Sequence, residues 1–285
     1  MKSRPWLVIP VVAGFLAVGC QSGHTQNSQQ PQVIVIPPGG EAPSPGMGAP
    51  PAGDSTPAMK APVEEPRTGP NRLSYNSCNV DGPYIALTFD DGPHATLTPK
   101  LLDTLKEKGV KATFYVLGQC VAANPEVLQR AAAEGHEIGN HSYAHKAFTK
   151  AGVAGVASEV NQTNAVIENL TGKKPATLRP PYGSTNSAIT KRLNEEFGLK
   201  VVMWDVDPLD WKYRSAPRVT SEILKNTKAG SIVLAHDIHP TTVAAMPDVI
   251  DGLQAKGFKF VTVSELIAMD RPQAVPAAAA PKPVL

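Results

Sequence analysis

The chain has 285 residues, 42% of them hydrophobic, which is ordinary for a globular protein and enough to bury a substantial core. Its 27 basic and 25 acidic residues leave a formal net charge of +2. That balance excludes a chain-wide basic field for nucleic acid and an acidic polyelectrolyte tail.

Residues 1–20 read as an export signal, with Lys2 and Arg4 ahead of an apolar run from Trp6 to Val18 that is too short to span a bilayer comfortably. Gly19 directly before Cys20 looks like a bacterial lipoprotein processing site, in which Cys20 carries the lipid and becomes the mature N-terminus. Leu16 stands one position further from Cys20 than that pattern has it, with Ala17 in its place. The expectation is an exported protein tethered to an envelope membrane through Cys20; the other reading is a periplasmic or secreted protein. Gln21, where an Asp would mark retention, fits an outer-membrane address. With Cys20 lipidated, Cys78 and Cys120 remain as a pair that an oxidising compartment allows either to bridge or to stay as buried thiols.

Residues 21–75 hold 11 prolines and 7 glycines among few large apolar side chains, so they cannot offset the entropy of ordering and are expected to be a disordered tether. The Pro/Ala-rich residues 271–285 read the same way. Between them, residues 76–270 alternate strand-like and helix-like patterns. Seven apolar runs read as strands: Tyr84 to Phe89, Ala112 to Leu117, His136 to Gly139, Ala176 to Leu178, Leu199 to Trp204, Ser231 to Ala235 and Phe258 to Val263. Helical punctuation fills the gaps, with Asn124-Pro125 and Ser187 as starts and Gly109, Gly135, Gly172, Gly198, Gly230 and Gly257 as stops. Seven β–α units imply an α/β fold with a mostly parallel sheet, either open or closed into a barrel, and place the chemistry at the C-terminal strand ends.

The chemically loaded residues do follow strands. Asp90-Asp91-Gly92-Pro93 follows the first, His141-Ser142-Tyr143-Ala144-His145 the third, Arg179-Pro180-Pro181-Tyr182-Gly183 the fourth, Asp207 to Trp211 the fifth, and His236-Asp237 the sixth. Two histidines four apart can converge on one cation, and a carboxylate from a neighbouring strand end completes a His-His-Asp set that leaves room for water. Of the adjacent Asp90 and Asp91, one can ligate while the other stays free as general base. Asp-Asp-Gly-Pro alone also makes a plain turn, but turn chemistry does not account for five loaded strand ends. His236 needs a carboxylate partner to serve as general acid, and Asp210 or Asp237 is available. Arg179 stands opposite the acids and is expected to pair with Asp90 and aim it. Trp211 and Leu234 suit the walls of a small apolar pocket.

Taken together these segments resemble the polysaccharide deacetylase family, carbohydrate esterase family four. The resemblance covers residues 80 to 268 and rests on five motifs in order: Thr88 to Pro93, His141 to His145, Arg179 to Gly183, Asp207 to Trp211, and Leu234 to Asp237. It implies a NodB-like domain, a distorted (β/α) barrel with about seven parallel strands. It further implies Asp90 as general base, Asp91, His141 and His145 as ligands of a divalent metal, His236 as general acid, Arg179 orienting Asp90, and Asp210 tuning His236. The Tyr182 backbone N–H beside Pro181 would face the oxyanion, with Trp211 and Leu234 around the acetyl group. His94, His136 and His239 match no ligand position. Zinc suits this ligand set, while cobalt, nickel or iron would also be accepted. The implied activity is hydrolysis of N-acetyl groups on an envelope polysaccharide, peptidoglycan or poly-N-acetylglucosamine, by a monomer. Chitin oligomers or acetyl xylan are alternative substrates. From another class, the chain would be an inactive glycan-binding envelope lipoprotein.

Overall fold

The computed structural model describes residues 72–271. The expected export signal, Cys20, the tether up to residue 71 and the tail from residue 272 lie outside the described residues.

Eight short strands order the described chain: β1 (Ser74–Tyr75), β2 (Tyr84–Asp90), β3 (Thr113–Val116), β4 (Glu137–Asn140), β5 (Thr177–Leu178), β6 (Lys200–Val202), β7 (Ile232–His236) and β8 (Lys259–Phe260). They pair in the order β1-β6-β5-β4-β3-β2-β7, with β8 on β2, and every ladder is parallel. β2, β3 and β7 are buried almost throughout, which is why they read as unbroken apolar runs and not as alternating ones.

Helices α1 (Leu97–Glu107), α2 (Gly118–Ala123), α3 (Pro125–Ala133), α4 (Phe148–Thr171), α5 (Ser187–Phe197), α6 (Asp210–Tyr213), α7 (Ala216–Asn226), α8 (Pro240–Ala255) and α9 (Val263–Ala268) fill the connections. The apolar stripes of α1 (Leu101, Leu102, Leu105), α7 (Val219, Ile223) and α8 (Val249, Ile250, Leu253) share one core with Phe89, Phe114 and Val233 of the sheet. Burying side chains of this size contributes roughly 1.5–3 kcal/mol each. Gly172 and Gly198 end α4 and α5 in the left-handed conformation, where glycine carries no Cβ penalty. Asn186, one residue before the expected Ser187, caps α5 by accepting from the Ile189 N–H. The last expected strand is cut to Lys259–Phe260, because Thr262 and Glu265 form a capping box that starts α9 at Val263.

The expected barrel is realised as a parallel sheet drawn round until β6 approaches β7. Past the end of β6, Val206 forms one parallel bridge to Val233, and the Leu234 N–H donates to Val206 O at 2.9 Å. Lower in the same gap, β1 pairs with β6, and Ser77 bridges Ser231. Residues 72–75, read from composition as tether, therefore belong to the sheet. Arg72 fastens them by an ion pair to Asp270 at 3.0 Å and by stacking on Tyr75.

The expected Cys78–Cys120 disulfide is not formed. Cys78 is a buried free thiol, and burial pushes its pKa up to about 12. Its N–H donates to Gly230 O just before β7 begins, whereas Cys120 lies in α2 just after β3 ends. In a parallel sheet those are opposite ends, separated by a strand length on the order of 15 Å at about 3.3 Å per residue, far beyond the reach of a disulfide. Gly230 itself, at φ +81°, leaves the space in which the Cys78 carbonyl passes.

Candidate active site

Asp90 closes β2 and is the register partner of His236 at the end of β7. Neighbouring strands lie about 4.8 Å apart, so a carboxylate and an imidazole stand side by side on the same rim. Arg179, fully buried just past β5, donates from Nη1 to Asp90 Oδ1 at 2.7 Å and to Thr88 Oγ1 at 2.8 Å. Its Nη2 and Nε donate to the carbonyls of Met203 and Val202, and its guanidinium stacks 4.3 Å from the Tyr115 ring. A buried guanidinium is tolerated because its donors are matched in this way. With Oδ1 fixed, Asp90 Oδ2 is left facing His141 Nε2 at 3.7 Å.

His141 and His145 sit in the loop after β4. Asn140 Oδ1 accepts the Ser142 N–H, Ser142 Oγ accepts the His145 N–H, and the buried Glu159 carboxylate accepts the N–H groups of Tyr143 and Ala144. This scaffold holds Ser142 and His145 at positive φ (70° and 56°), strained for residues with a Cβ. Asp91, at φ 75°, reaches the pair with Oδ1 3.5 Å from His141 Nε2 and 3.3 Å from His145 Nε2.

Asp91, His141 and His145 fit a divalent cation. One ligand atom from each lies within 4.8 Å of the others, and buried Asp91 Oδ1 has no hydrogen-bond donor. His141 Nδ1 lies 2.7 Å from the Arg179 carbonyl, which fixes the proton there and turns the Nε2 lone pair toward the other two ligands. Burial alone would raise Asp91, yet contact with His141 and the charges of His141, His236 and His145 hold it well below the usual carboxylate range. Burial keeps His145 below the ordinary histidine value, as suits a neutral ligand. His141 is pulled down by burial but more strongly up by Asp90 and Asp91, so a cation there would displace a proton.

Of the two partners open to His236, the structure selects Asp210. Its Oδ1 lies 2.8 Å from His236 Nδ1, while Oδ2 accepts the His236 N–H and the Thr242 hydroxyl. Burial would push His236 down, but Asp210, with the more distant Asp91 and Asp90, raises it to about 9. Asp237 turns away: its carboxyl accepts from Thr98 and packs against Gly92 so closely that no Cβ would fit there, and burial raises it to about 7. Among the described residues the other histidines lie outside these pairings. His94 Nδ1 accepts the Thr96 and Leu97 N–H groups at the start of α1, and His136 Nδ1 accepts the Ala112 N–H. His136 lines a separate cavity of about 450 Å³ with Glu137, Lys173 and Lys174, at the other end of β4. His239 stacks 5.6 Å from His236.

Tyr182, at φ 59° in the Pro181–Gly183 turn, packs its ring edge-on against His145 at 4.4 Å and is 70% exposed. Trp211, half exposed, donates its backbone N–H to Asp210 Oδ1; Leu234 is buried in β7. Sequence reasoning gave no role to Thr88, Tyr115, Asn140, Glu159 or Thr242. Thr88 opens the first motif and Asn140 adjoins the second, so both were within reach of that reasoning, whereas Tyr115, Glu159 and Thr242 carry no local signal.

Fold and site thus define an α/β protein whose parallel strand ends combine a three-donor cation site with a carboxylate and an imidazole, each oriented by a buried partner. Residues 78–202 match the family described as Polysaccharide deacetylase. Over 182 residues the chain is 46% identical to the peptidoglycan-N-acetylglucosamine deacetylase PgdA of Listeria monocytogenes, covering 64% of this chain but only 38% of that protein. It is 38% identical over 193 residues to a Bacillus cereus peptidoglycan-N-acetylglucosamine deacetylase, covering 65% and 70% respectively. The crystal structure of the Bc1960 peptidoglycan N-acetylglucosamine deacetylase superposes with a TM-score of 0.67 at 35% identity, covering 70% of this chain and 95% of that one. The chain belongs to the polysaccharide deacetylase family.

The division between Asp90 and Asp91 is testable by calorimetric titration with zinc or cobalt. His141→Ala is expected to weaken binding by about a hundredfold or more, while Asp90→Asn keeps it within severalfold; equal losses would reject the division.

Proposed function

We propose that this chain hydrolyses N-acetyl groups on the N-acetylglucosamine of peptidoglycan, releasing acetate and leaving a free amine. The observation that carries this reading is the side-by-side pair at the rim, Asp90 aimed by Arg179 and His236 aimed by Asp210, next to the Asp91-His141-His145 set. The names of the relatives support the choice of polymer.

A divalent cation on Asp91, His141 and His145, with zinc the best fit and cobalt, nickel or iron also suited, would supply Lewis acidity and make nearby water easier to deprotonate. The chain's own residues do the rest. Asp90 takes a proton through Oδ2 as the water oxygen adds to the acetamide carbonyl. The Tyr182 N–H donates to the oxyanion, and Pro181 fixes the turn that presents it. His236, its Nδ1 proton bound to Asp210, gives the Nε2 proton to the departing nitrogen as the C–N bond breaks. Trp211 and Leu234 close around the acetyl methyl.

We further propose that the chain is exported and held at the envelope through lipid on Cys20, as a monomer with residues 21–71 as its tether. This rests on the basic, apolar and Gly19-Cys20 pattern of residues 1–20. Among the described residues no helix is long and apolar enough to cross a membrane. Replacing Cys20 with Ala is expected to move the protein from membranes to the soluble fraction; unchanged membrane association would reject the anchor.

Acetate release from peptidoglycan, chitin oligomers and acetyl xylan, with and without chelator, tests the activity. Chelator-sensitive release from peptidoglycan, restored by zinc or cobalt, is expected. A folded, metal-binding chain that releases acetate from none of them would instead favour a glycan-binding protein without turnover.

His236 must carry its proton to act as acid, so kcat/KM is expected to fall as pH rises through about 9. In Asp210→Asn that limb should move toward the ordinary histidine value of about 6.5, with kcat reduced roughly 10²- to 10⁴-fold. An unmoved limb would show that Asp210 does not set this proton.

A further inference from the structure

The loop and helix turn beyond Asp210 carry features that the hydrolytic steps leave unused. Over residues 211–218 lie two exposed aromatics, Trp211 and Tyr213, and three exposed cations, Lys212, Arg214 and Arg218. The Arg218 guanidinium stacks 3.8 Å from the Tyr213 ring, and Lys212 Nζ lies 5.2 Å from it. Among the described residues none of the three cations forms an ion pair. Glu222, one turn along α7 from Arg218, bonds to Asn226 instead.

No acid of the preceding stretch pairs with these cations; each carboxylate has other partners. Asp205 accepts from Ser231 and the Ile232 N–H, Asp207 accepts the Leu209 N–H, and Asp210 holds His236 and Thr242. Within residues 211–218 the exposed charge is all positive. It also lies close to the reacting groups. α6 spans only four residues from Asp210 to Tyr213, an axial rise of about 5 Å. The Arg214 N–H bonds to the Asp210 carbonyl, and the Arg214 charge helps burial hold down His239, whose ring neighbours His236. Arg214 is kept at φ 46°, a conformation that a side chain seldom adopts without reason.

We propose that Lys212, Arg214 and Arg218, with Trp211 and Tyr213, form a subsite for the carboxylates of a peptide-bearing glycan strand. Aromatic faces accept sugar rings, while unpaired cations beside them favour an anionic chain over a neutral one. In peptidoglycan the sugar next to N-acetylglucosamine bears a lactyl group whose carboxyl is either free or amide-linked to a peptide with carboxylates of its own, whereas chitin and xylan backbones are uncharged. The proposal rests on the deacetylase reading and adds the device by which the enzyme would choose among acetylated polymers.

The test compares the full chain with the triple variant Lys212→Gln, Arg214→Gln, Arg218→Gln on three substrates: a neutral N-acetylglucosamine oligomer, peptide-bearing glycan strands, and the same strands stripped of peptide to leave lactyl carboxylates. For peptide-bearing strands the variant is expected to raise KM about tenfold with kcat nearly unchanged, the difference shrinking at roughly 0.5 M salt. On the neutral oligomer kcat/KM should stay within about twofold. Persistence of the effect on stripped strands shows that the subsite also takes the lactyl carboxylate freed there, and its loss confines the subsite to the peptide carboxylates. Equal losses on charged and neutral substrates, or no loss on either charged substrate, would overturn the subsite. Co-sedimentation of both proteins with insoluble peptidoglycan reads binding without turnover. A wild type that releases no acetate sinks the deacetylase reading, while the binding difference still decides the subsite.

Discussion

The site is organised around one buried guanidinium. Arg179 would be prohibitively costly to bury without partners, since an unmatched charge in the interior costs several kcal/mol or more. Its donors instead reach β2 through Asp90 and Thr88 and the end of β6 through the Val202 and Met203 carbonyls, while its flat face lies on Tyr115 of β3. Its own carbonyl meets His141 Nδ1. One residue thereby orients both the carboxylate proposed as the base and a histidine of the cation set. Gly139 has no Cβ where the Tyr115 ring lies, so even this platform depends on a neighbouring strand leaving space.

A second constraint is backbone strain concentrated at the rim. Among the described residues the non-glycine positions with positive φ are Asp91, Ser142, His145, Tyr182, Leu209 and Arg214; the first five lie in connections that follow strands, and Arg214 ends α6. Each costs of order 1–3 kcal/mol and persists only where surroundings over-determine it. Asn140 and Glu159 do so for the histidine loop, and Asp207 accepts the Leu209 N–H. The sheet below supplies rigidity: an open parallel sheet whose gap is spanned by the single Val206–Val233 bridge and lined lower down by β1. Strain at the rim and satisfied hydrogen bonding beneath it form one arrangement, in which donors are aimed before any ligand arrives.

Much of this was legible in the sequence because parallel strands end where loops begin. Unbroken apolar runs located β2, β3 and β7, and polar residues immediately after them marked the rim. Boundaries failed where composition and structure diverge. Residues 72–75 follow a proline-rich stretch yet pair with β6, because a sheet gap offers hydrogen bonds that composition does not reveal. Cys78 and Cys120 are an even pair in sequence but sit at opposite sheet ends. The residues alone left Asp210 and Asp237 open, and the family resemblance named Asp210; side-chain direction gives the physical reason, since the Asp237 carboxyl is drawn to Thr98 and Gly92. The supporting groups Tyr115, Glu159 and Thr242 come from distant segments, so only the fold brings them to the site.

If Arg179 aims Asp90, a lysine there keeps the charge but loses the fork that reaches Asp90, Thr88 and Met203 together. The decisive measurement is kcat for Arg179→Lys on peptidoglycan fragments, with thermal midpoint and zinc affinity read on the same sample. A fall of about a thousandfold in kcat, with a folded chain that still binds zinc, is expected. A kcat within about tenfold of wild type would mean that the Asp90–Arg179 pair does not organise the chemistry.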